Sequence, residues 1–246
     1  MKHAIYVLPL LALVPACSQS DSPSTEMEAA AEQLVDAVIE SPDPNALGTY
    51  EPRNECSDQE GADAFLSALN AAVELRDTDL LVALSADDVK LGFGGEDGAA
   101  NLRANLDSDA PNLWSDLEEV LKLGCAGNSQ GGITMPYYFA QDTKGDPFEA
   151  LIVTGKDVPM HAQPNETSSR LTTISWDEVE LIPGEGPQAI KSGAGDDGSW
   201  KHVRTIGSDK FEGYIRSSEL RSVIDYRLIA SNRNGRWRIT AFLAGD

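Results

Sequence analysis

Residues 224–243 read Ile-Asp-Tyr-Arg-Leu-Ile-Ala-Ser-Asn-Arg-Asn-Gly-Arg-Trp-Arg-Ile-Thr-Ala-Phe-Leu, and this stretch predicts a β-hairpin. Apolar side chains alternate with polar ones on both sides of Asn234-Gly235, the dipeptide typical of a two-residue hairpin turn. The residues expected to face inward are Ile224, Tyr226, Leu228, Ala230, Trp237, Ile239, Ala241 and Leu243. The sequence therefore predicts two antiparallel strands within residues 223–246.

The opposite face of this hairpin is basic. It carries Arg227, Arg236 and Arg238, and residues 201–246 contain nine Lys and Arg against five Asp and Glu. A solvated strand face is the simpler interpretation of these charges. The alternatives are a surface covered by the acidic N-terminal segment or by an anionic ligand.

Upstream, residues 61–154 alternate between helical and strand patterns. Apolar spacing predicts helices around residues 65–75, 80–84, 102–106 and 113–121, and alternation predicts strands at 89–93, 133–139 and 148–153. The order of these elements through Leu84-Ser85-Ala86-Asp87-Asp88-Val89 resembles the opening of nuclear-transport-factor-2-like cone folds, over about residues 60–110. The resemblance implies a curved antiparallel sheet around a pocket. The hairpin, whose Asn-Gly-Arg-Trp-Arg-Ile is similar to the last strands of those folds, would return to complete that sheet.

Residues 155–222 contain short strand patterns separated by Gly, Pro and Asp turns. The segments that resemble a bacterial SH3-like domain are Val158-Pro159-Met160-His161-Ala162, Trp200-Lys201-His202-Val203 and Gly213-Tyr214-Ile215, with Pro164 and strands near 171–174 and 179–182. Ser199 stands where that family usually has Gly. The expected fold class is therefore α+β: a helix-rich α+β domain at 61–154, a small SH3-like β-barrel at 155–222 and a C-terminal β-hairpin.

Three aromatic residues of this region are candidate ligand-binding residues: Trp176, Trp200 and Tyr214. The resemblance carries this hypothesis, because SH3-like domains often recognise a peptide or a cell-wall fragment. Packing in the core is the simpler interpretation of each, since aromatic side chains bury large apolar areas.

Residues 1–16 have the pattern of a secretory signal. Lys2 precedes an apolar run that is shorter than the about 20 residues needed to span a bilayer. The run ends in Val14-Pro15-Ala16-Cys17, similar to the lipobox of bacterial lipoproteins, which implies cleavage before Cys17 and lipidation of its thiol. Ser18 in place of Asp implies anchoring in the outer membrane. The alternative is an ordinary secretory signal that leaves Cys17 as a free thiol. Both interpretations predict that the protein is exported. An acidic tether and a helix are predicted to follow at 17–60.

Two further cysteines, Cys56 and Cys125, complete the three of the sequence. In an oxidising envelope they are expected to form a disulfide bond, although two buried free thiols remain the alternative. The net charge of −21 repels phosphate backbones, which argues against a nucleic-acid partner.

The sequence contains no HExxH or CxxC motif, so neither a metal nor another cofactor is predicted, and the chain is interpreted as a binding protein rather than an enzyme. The expected function is that of a lipid-anchored, periplasm-facing protein of the bacterial cell envelope, with the SH3-like domain recognising a peptide or cell-wall ligand. The alternative is a small-ligand carrier or enzyme with a cone-fold pocket in 61–154. A deep polar cavity there would favour the carrier or enzyme, and a shallow aromatic groove near Trp200 and Tyr214 would favour the envelope binding protein.

Overall fold

The computed structural model describes residues 48–108, 112–182, 198–207 and 210–245. The predicted signal sequence at 1–16, the predicted lipidation site Cys17 and residues 18–47 of the tether and helix predicted at 17–60 lie outside these ranges. Within them, no helix has both the length and the apolar character needed to cross a bilayer.

Four α-helices form in the described part of the chain. They are α1 (Ala62–Glu74), α2 (Thr78–Ala83), α3 (Ala99–Asp107) and α4 (Leu113–Lys122). Asp77 sets the start of α2, because its side chain accepts a hydrogen bond from the Leu80 backbone N–H at 2.9 Å. Leu69 of α1 and Leu117 and Val120 of α4 are almost fully buried, so both helices turn their apolar side chains inward.

The first sheet combines strands from both ends of the described chain. Its strands are β1 (Ser85–Lys90), β2 (Ala126–Gly127), β3 (Gly132–Met135), β11 (Arg227–Arg233) and β12 (Arg236–Leu243). They lie in the order β1-β12-β11-β3-β2. Strand β12 runs parallel to β1, and β11 is antiparallel to both β12 and β3. The C-terminal hairpin therefore lies in the interior of the sheet, between strands formed by residues 85–135.

The turn of the hairpin lies at Asn234 and Gly235, which have φ angles of 56° and 77°. Positive φ at both central residues is the geometry that matches the twist of paired strands. Arg233 pairs with Arg236 and Asn232 with Trp237 across the turn.

The helices and this sheet share one apolar core. Leu228 and Ala230 of β11 are fully buried in it, and the ring of Trp237 stacks 6.1 Å from the ring of Phe65 in α1. The indole N–H of Trp237 donates to the Glu60 carbonyl at 2.9 Å. The hairpin is therefore packed directly on α1.

The second sheet has seven strands, and every neighbouring pair is antiparallel. They are β4 (Ala150–Val153), β5 (Val158–His161), β6 (Arg170–Ile174), β7 (Glu178–Leu181), β8 (Trp200–Thr205), β9 (Glu212–Arg216) and β10 (Leu220–Ser222). The order is β10-β4-β7-β8-β9-β5-β6, so the sheet is open, with β10 and β6 at its edges. Strands β5 to β10 lie within residues 155–222, where the sequence predicts an SH3-like barrel, and β4 comes from the preceding region. The sheet is open, so the structure does not show the predicted closed barrel. The described chain is thus α+β, with two open sheets and a β-rich C-terminal region.

Several predicted strands end differently in the structure. Leu91 and Phe93 follow β1 rather than belonging to it, and Phe93 is exposed, because glycines at 92, 94 and 95 interrupt the strand pattern. Tyr137 and Phe139 belong to a 3₁₀ helix, Tyr137–Ala140.

Strand β3 ends at Met135 because Pro136 directly follows it. Proline has no N–H to donate to a neighbouring strand, so the hydrogen-bonded ladder ends there.

The strand pattern also predicts Phe148 in a strand, but this residue precedes β4 and is exposed. In the hairpin, Ile224 and Tyr226 precede β11.

Cys56 and Cys125 form a disulfide bond, with their Cα atoms 5.8 Å apart. Cys56 precedes α1 and Cys125 lies between α4 and β2. Two backbone hydrogen bonds accompany the bond, from Cys125 N to Arg53 O at 2.7 Å and from Glu55 N to Cys125 O at 2.8 Å. The chain before α1 is therefore attached to the segment that follows α4.

Candidate functional site: the Trp200 pocket

The outward-facing side chains of β8 and β9 form one surface, called here the polar outer face. In the antiparallel register, Trp200 lies opposite Arg216, His202 opposite Tyr214, and Arg204 opposite Glu212. The alternate residues Val203 and Ile215 are fully buried in the core beneath. Side chains alternate between the two faces of a strand. Since Val203 and Ile215 face the core, the side chains of the three pairs named above face outward.

The centre of the polar outer face is held by contacts between neighbouring strands. The ring of His202 stacks on Tyr214 with centroids 4.5 Å apart and planes 10° apart. His202 Nε2 lies 3.2 Å from Glu212 Oε1, and Arg204 Nε donates to Glu180 Oε2 at 2.8 Å. These contacts fix the side chains relative to one another.

Trp200 lies at one end of this face between two polar side chains. The guanidinium carbon of Arg216 lies 5.0 Å from the centre of the indole ring, within the range of a cation–π contact. The ring of His161 approaches edge-on at 5.2 Å. Arg216 also forms an ion pair with Glu166. The indole is therefore held in place by one side chain from the neighbouring strand β9 and one from β5, the next strand along the sheet.

A pocket of about 360 Å³ opens beside Trp200 and is called here the Trp200 pocket. Its apolar wall consists of Val158, Pro159 and Trp200, and its polar side chains are His161, Glu166, Arg170, Arg216 and Glu219. His161 is almost fully buried, and its Nδ1 lies 3.3 Å from the Ser168 carbonyl. Since a carbonyl only accepts, Nδ1 carries the proton in this contact. An apolar wall with a few converging polar groups is the usual composition of a ligand site.

The structure brings together two of the three aromatic candidates. Trp200 lines the pocket, and Tyr214 lies on the same face, against His202. Trp176 lies elsewhere: its backbone carbonyl accepts the Tyr50 N–H at 2.8 Å, and its side chain packs on a small core that includes Tyr50. Cys17 lies outside the described residues.

The pocket contains charged residues that the sequence analysis did not single out. Arg216 follows Tyr214 by two positions, so strand alternation would have placed both on one face. Glu166 and Arg170 come from the β5–β6 connection and β6, and Glu219 from the 3₁₀ helix Ser217–Glu219. No local pattern marks these three, because only the pairing of β5 with β9 and β6 brings them together.

A second cavity of about 510 Å³ lies where α1 meets the hairpin. It is an open groove whose walls include Glu60, Phe65, Arg236 and Trp237. The Trp237 N–H already donates to the Glu60 carbonyl. This groove therefore combines residues of the 61–154 region with residues of the hairpin.

The described residues contain no group of three or more His, Cys, Asp or Glu side chains arranged to hold a metal ion.

No protein-family model matches the chain, and no curated protein matches it in sequence. Among solved structures, an NTF2-like protein with a cystatin-like fold from Novosphingobium aromaticivorans aligns with 91% of this chain and 88% of its own. The identity is 10% and the TM-score is 0.24. At that TM-score the match carries no inference about fold or function.

Proposed function

We propose that this chain is an exported, lipid-anchored binding protein of the bacterial cell envelope. In this proposal residues 155–222, which contain β5 to β10, correspond to an SH3-like barrel, and the Trp200 pocket recognises a peptide or a cell-wall fragment. Cys17 carries the lipid and places the protein on the periplasmic side of the outer membrane. The sequence of residues 1–18 supports the anchor.

The observation that carries the proposal is the Trp200 pocket. Its volume of about 360 Å³ falls within the roughly 300–1,000 Å³ of small-ligand sites. Trp200 is held by Arg216 and His161 before any ligand arrives, and preorganisation of this kind lowers the entropic cost of binding. The pocket also lies in the segment that resembles SH3-like domains.

The charges of the pocket support a ligand of balanced charge. Two cationic side chains, Arg170 and Arg216, and two anionic ones, Glu166 and Glu219, line it. A polyanion such as nucleic acid would meet the two carboxylates and the net charge of −21. Peptides and peptide-bearing cell-wall fragments offer both signs of charge.

Retention on purified peptidoglycan sacculi tests the proposal. We expect the soluble chain that lacks residues 1–17 to sediment with sacculi. We expect Trp200→Ala to lower the bound fraction at least about tenfold, because an aromatic side chain that the ligand covers carries a large part of the binding energy. Phe148→Ala is the matched control, since Phe148 is an exposed aromatic that does not line the pocket. Equal retention of wild type and Trp200→Ala would contradict the assignment of the site.

A further inference from the structure

The four charged side chains of the Trp200 pocket differ in their partners. Arg216 and Glu166 form an ion pair with each other. Among the described residues, the charged ends of Arg170 and Glu219 have no hydrogen-bonded or ion-paired partner. The pocket therefore holds one cationic and one anionic group that no other described residue neutralises.

The residues that carry these two groups lie near opposite ends of β5. Arg170 pairs with His161, the last residue of that strand. Glu219 lies against the turn that precedes it, because a Cβ placed on Gly155 would be 3.3 Å from Glu219 Oε2. From Val158 to His161 the strand covers three residues, or about 10 Å at roughly 3.3 Å per residue. The apolar wall of the pocket lies along this distance.

We propose that the Trp200 pocket recognises a short zwitterionic peptide, with Arg170 binding its carboxylate and Glu219 its ammonium group. This inference rests on the proposed function and names the chemistry of its ligand. A guanidinium binds a carboxylate through two parallel hydrogen bonds, which suits Arg170 to the carboxyl end. Trp200, Pro159 and Val158 contact the side chains between the two ends.

The length of the apolar wall along β5 sets the expected length of the ligand. An extended peptide covers at most about 3.3–3.6 Å per residue, so three residues span about 10 Å. A simple anion bound to Arg170 would leave the Glu219 carboxylate unpaired. A simple cation bound to Glu219 would leave the Arg170 guanidinium unpaired. A tripeptide with free ends neutralises both.

Calorimetric titration of the exported protein, purified in detergent, with three forms of tri-alanine tests this inference. The forms are the free tripeptide, its N-acetyl derivative and its C-terminal amide. We expect the free tripeptide to bind at least about tenfold more tightly than either blocked form, because each block removes one charge-assisted contact, and about 1.4 kcal/mol corresponds to tenfold in affinity.

Two variants assign the ends. Arg170→Gln is expected to bind the free tripeptide and the amide equally, and Glu219→Gln to bind the free tripeptide and the acetylated form equally. Arg236→Gln and Glu74→Gln are the matched controls, since both residues are exposed and lie outside this pocket. The controls should keep the preference for free ends.

The outcomes separate this inference from the proposed function. Equal binding of all three tripeptides, or no binding of the free one at millimolar concentration, would overturn the zwitterion inference. In either case the proposed function stands if sacculi retain the protein through Trp200, and it fails if they do not.

Discussion

Asp116 lies on α4 with only 1% of its surface exposed. Its Oδ1 is buried and has no hydrogen-bond partner among the described residues. Burial, together with the nearby carboxylates of Asp225 and Glu119, raises the pKa of this carboxyl to about 7, while the Arg221 guanidinium acts in the opposite direction. A carboxyl that loses its proton here leaves an incompletely compensated buried charge.

The raised pKa makes a prediction about stability. Because the folded-state pKa of Asp116 is above its ordinary value of 3.8, the stability associated with the protonated form is fully present below about pH 4 and is lost as pH rises through about 7. Asp116→Asn stays neutral and avoids this loss. We expect the variant to match wild type near pH 4 and to be more stable by on the order of 2–4 kcal/mol at pH 8, measured by urea unfolding.

The same substitution at an exposed acid provides the control. Asp107→Asn changes an exposed aspartate on α3, and its effect should not grow between pH 4 and pH 8. If Asp116→Asn and wild type lose stability in parallel over that range, Asp116 is not the group responsible.

At the scale of elements, the C-terminal hairpin depends on its turn. Gly235 has a φ of 77°, and nothing lies within 4 Å of a Cβ placed on it. A side chain there would meet no steric barrier from its surroundings, so the effect of substitution comes from the backbone alone. We expect Gly235→Ala to lower the free energy of unfolding by about 1–2 kcal/mol, the cost of the left-handed region for a residue with a Cβ.

Asn234→Gly is the matched control for the turn, because Asn234 has a φ of 56° and glycine adopts that value readily. Its effect should lie within a few tenths of a kcal/mol. Thermal or chemical unfolding of both variants decides the point, and an unchanged Gly235→Ala would mean that the turn does not limit the stability of the hairpin.

At the scale of the whole molecule, buried polar contacts of Arg221 join β10 to the helical region. Its guanidinium donates to the Tyr138 hydroxyl at 3.1 Å, to Glu119 of α4 at 3.0 Å and to the Tyr226 carbonyl at 3.1 Å. Asp225 lies 3.4 Å away. A guanidinium that is buried and surrounded by acceptors fixes the relative position of the segments that supply them.

The disulfide is another long-range connection, and its cysteines are 69 positions apart in the sequence. Closing a loop of this length restricts the unfolded chain and contributes about 4 kcal/mol in the chain-entropy treatment. We therefore expect the double variant Cys56→Ser/Cys125→Ser to be less stable than wild type by about 2–5 kcal/mol in urea unfolding.

Reduction of the wild type supplies an internal comparison for this prediction. Dithiothreitol should bring the wild-type unfolding midpoint to that of the double variant and leave the variant unchanged. A wild type insensitive to dithiothreitol in its unfolded state would mean that the bond does not form.

The candidate site was only partly accessible from sequence. Resemblance to SH3-like strands singled out Trp200 and Tyr214, and the pairing of β8 with β9 places both on the polar outer face. Trp176 was chosen for the same reason but packs with Tyr50 instead. The local sequence pattern around a single aromatic residue is the same whether its side chain faces the core or the solvent.

Residues close in sequence determined the helices, the Asn234-Gly235 turn and the strand alternation, because hydrogen bonds between near neighbours and backbone preferences act over a few positions. Only the tertiary structure decided that β12 lies beside β1 and that Arg170 and Glu219 line the same pocket. Strand pairing joins residues more than a hundred positions apart, and no local preference specifies which strands will be neighbours once the shared core has formed.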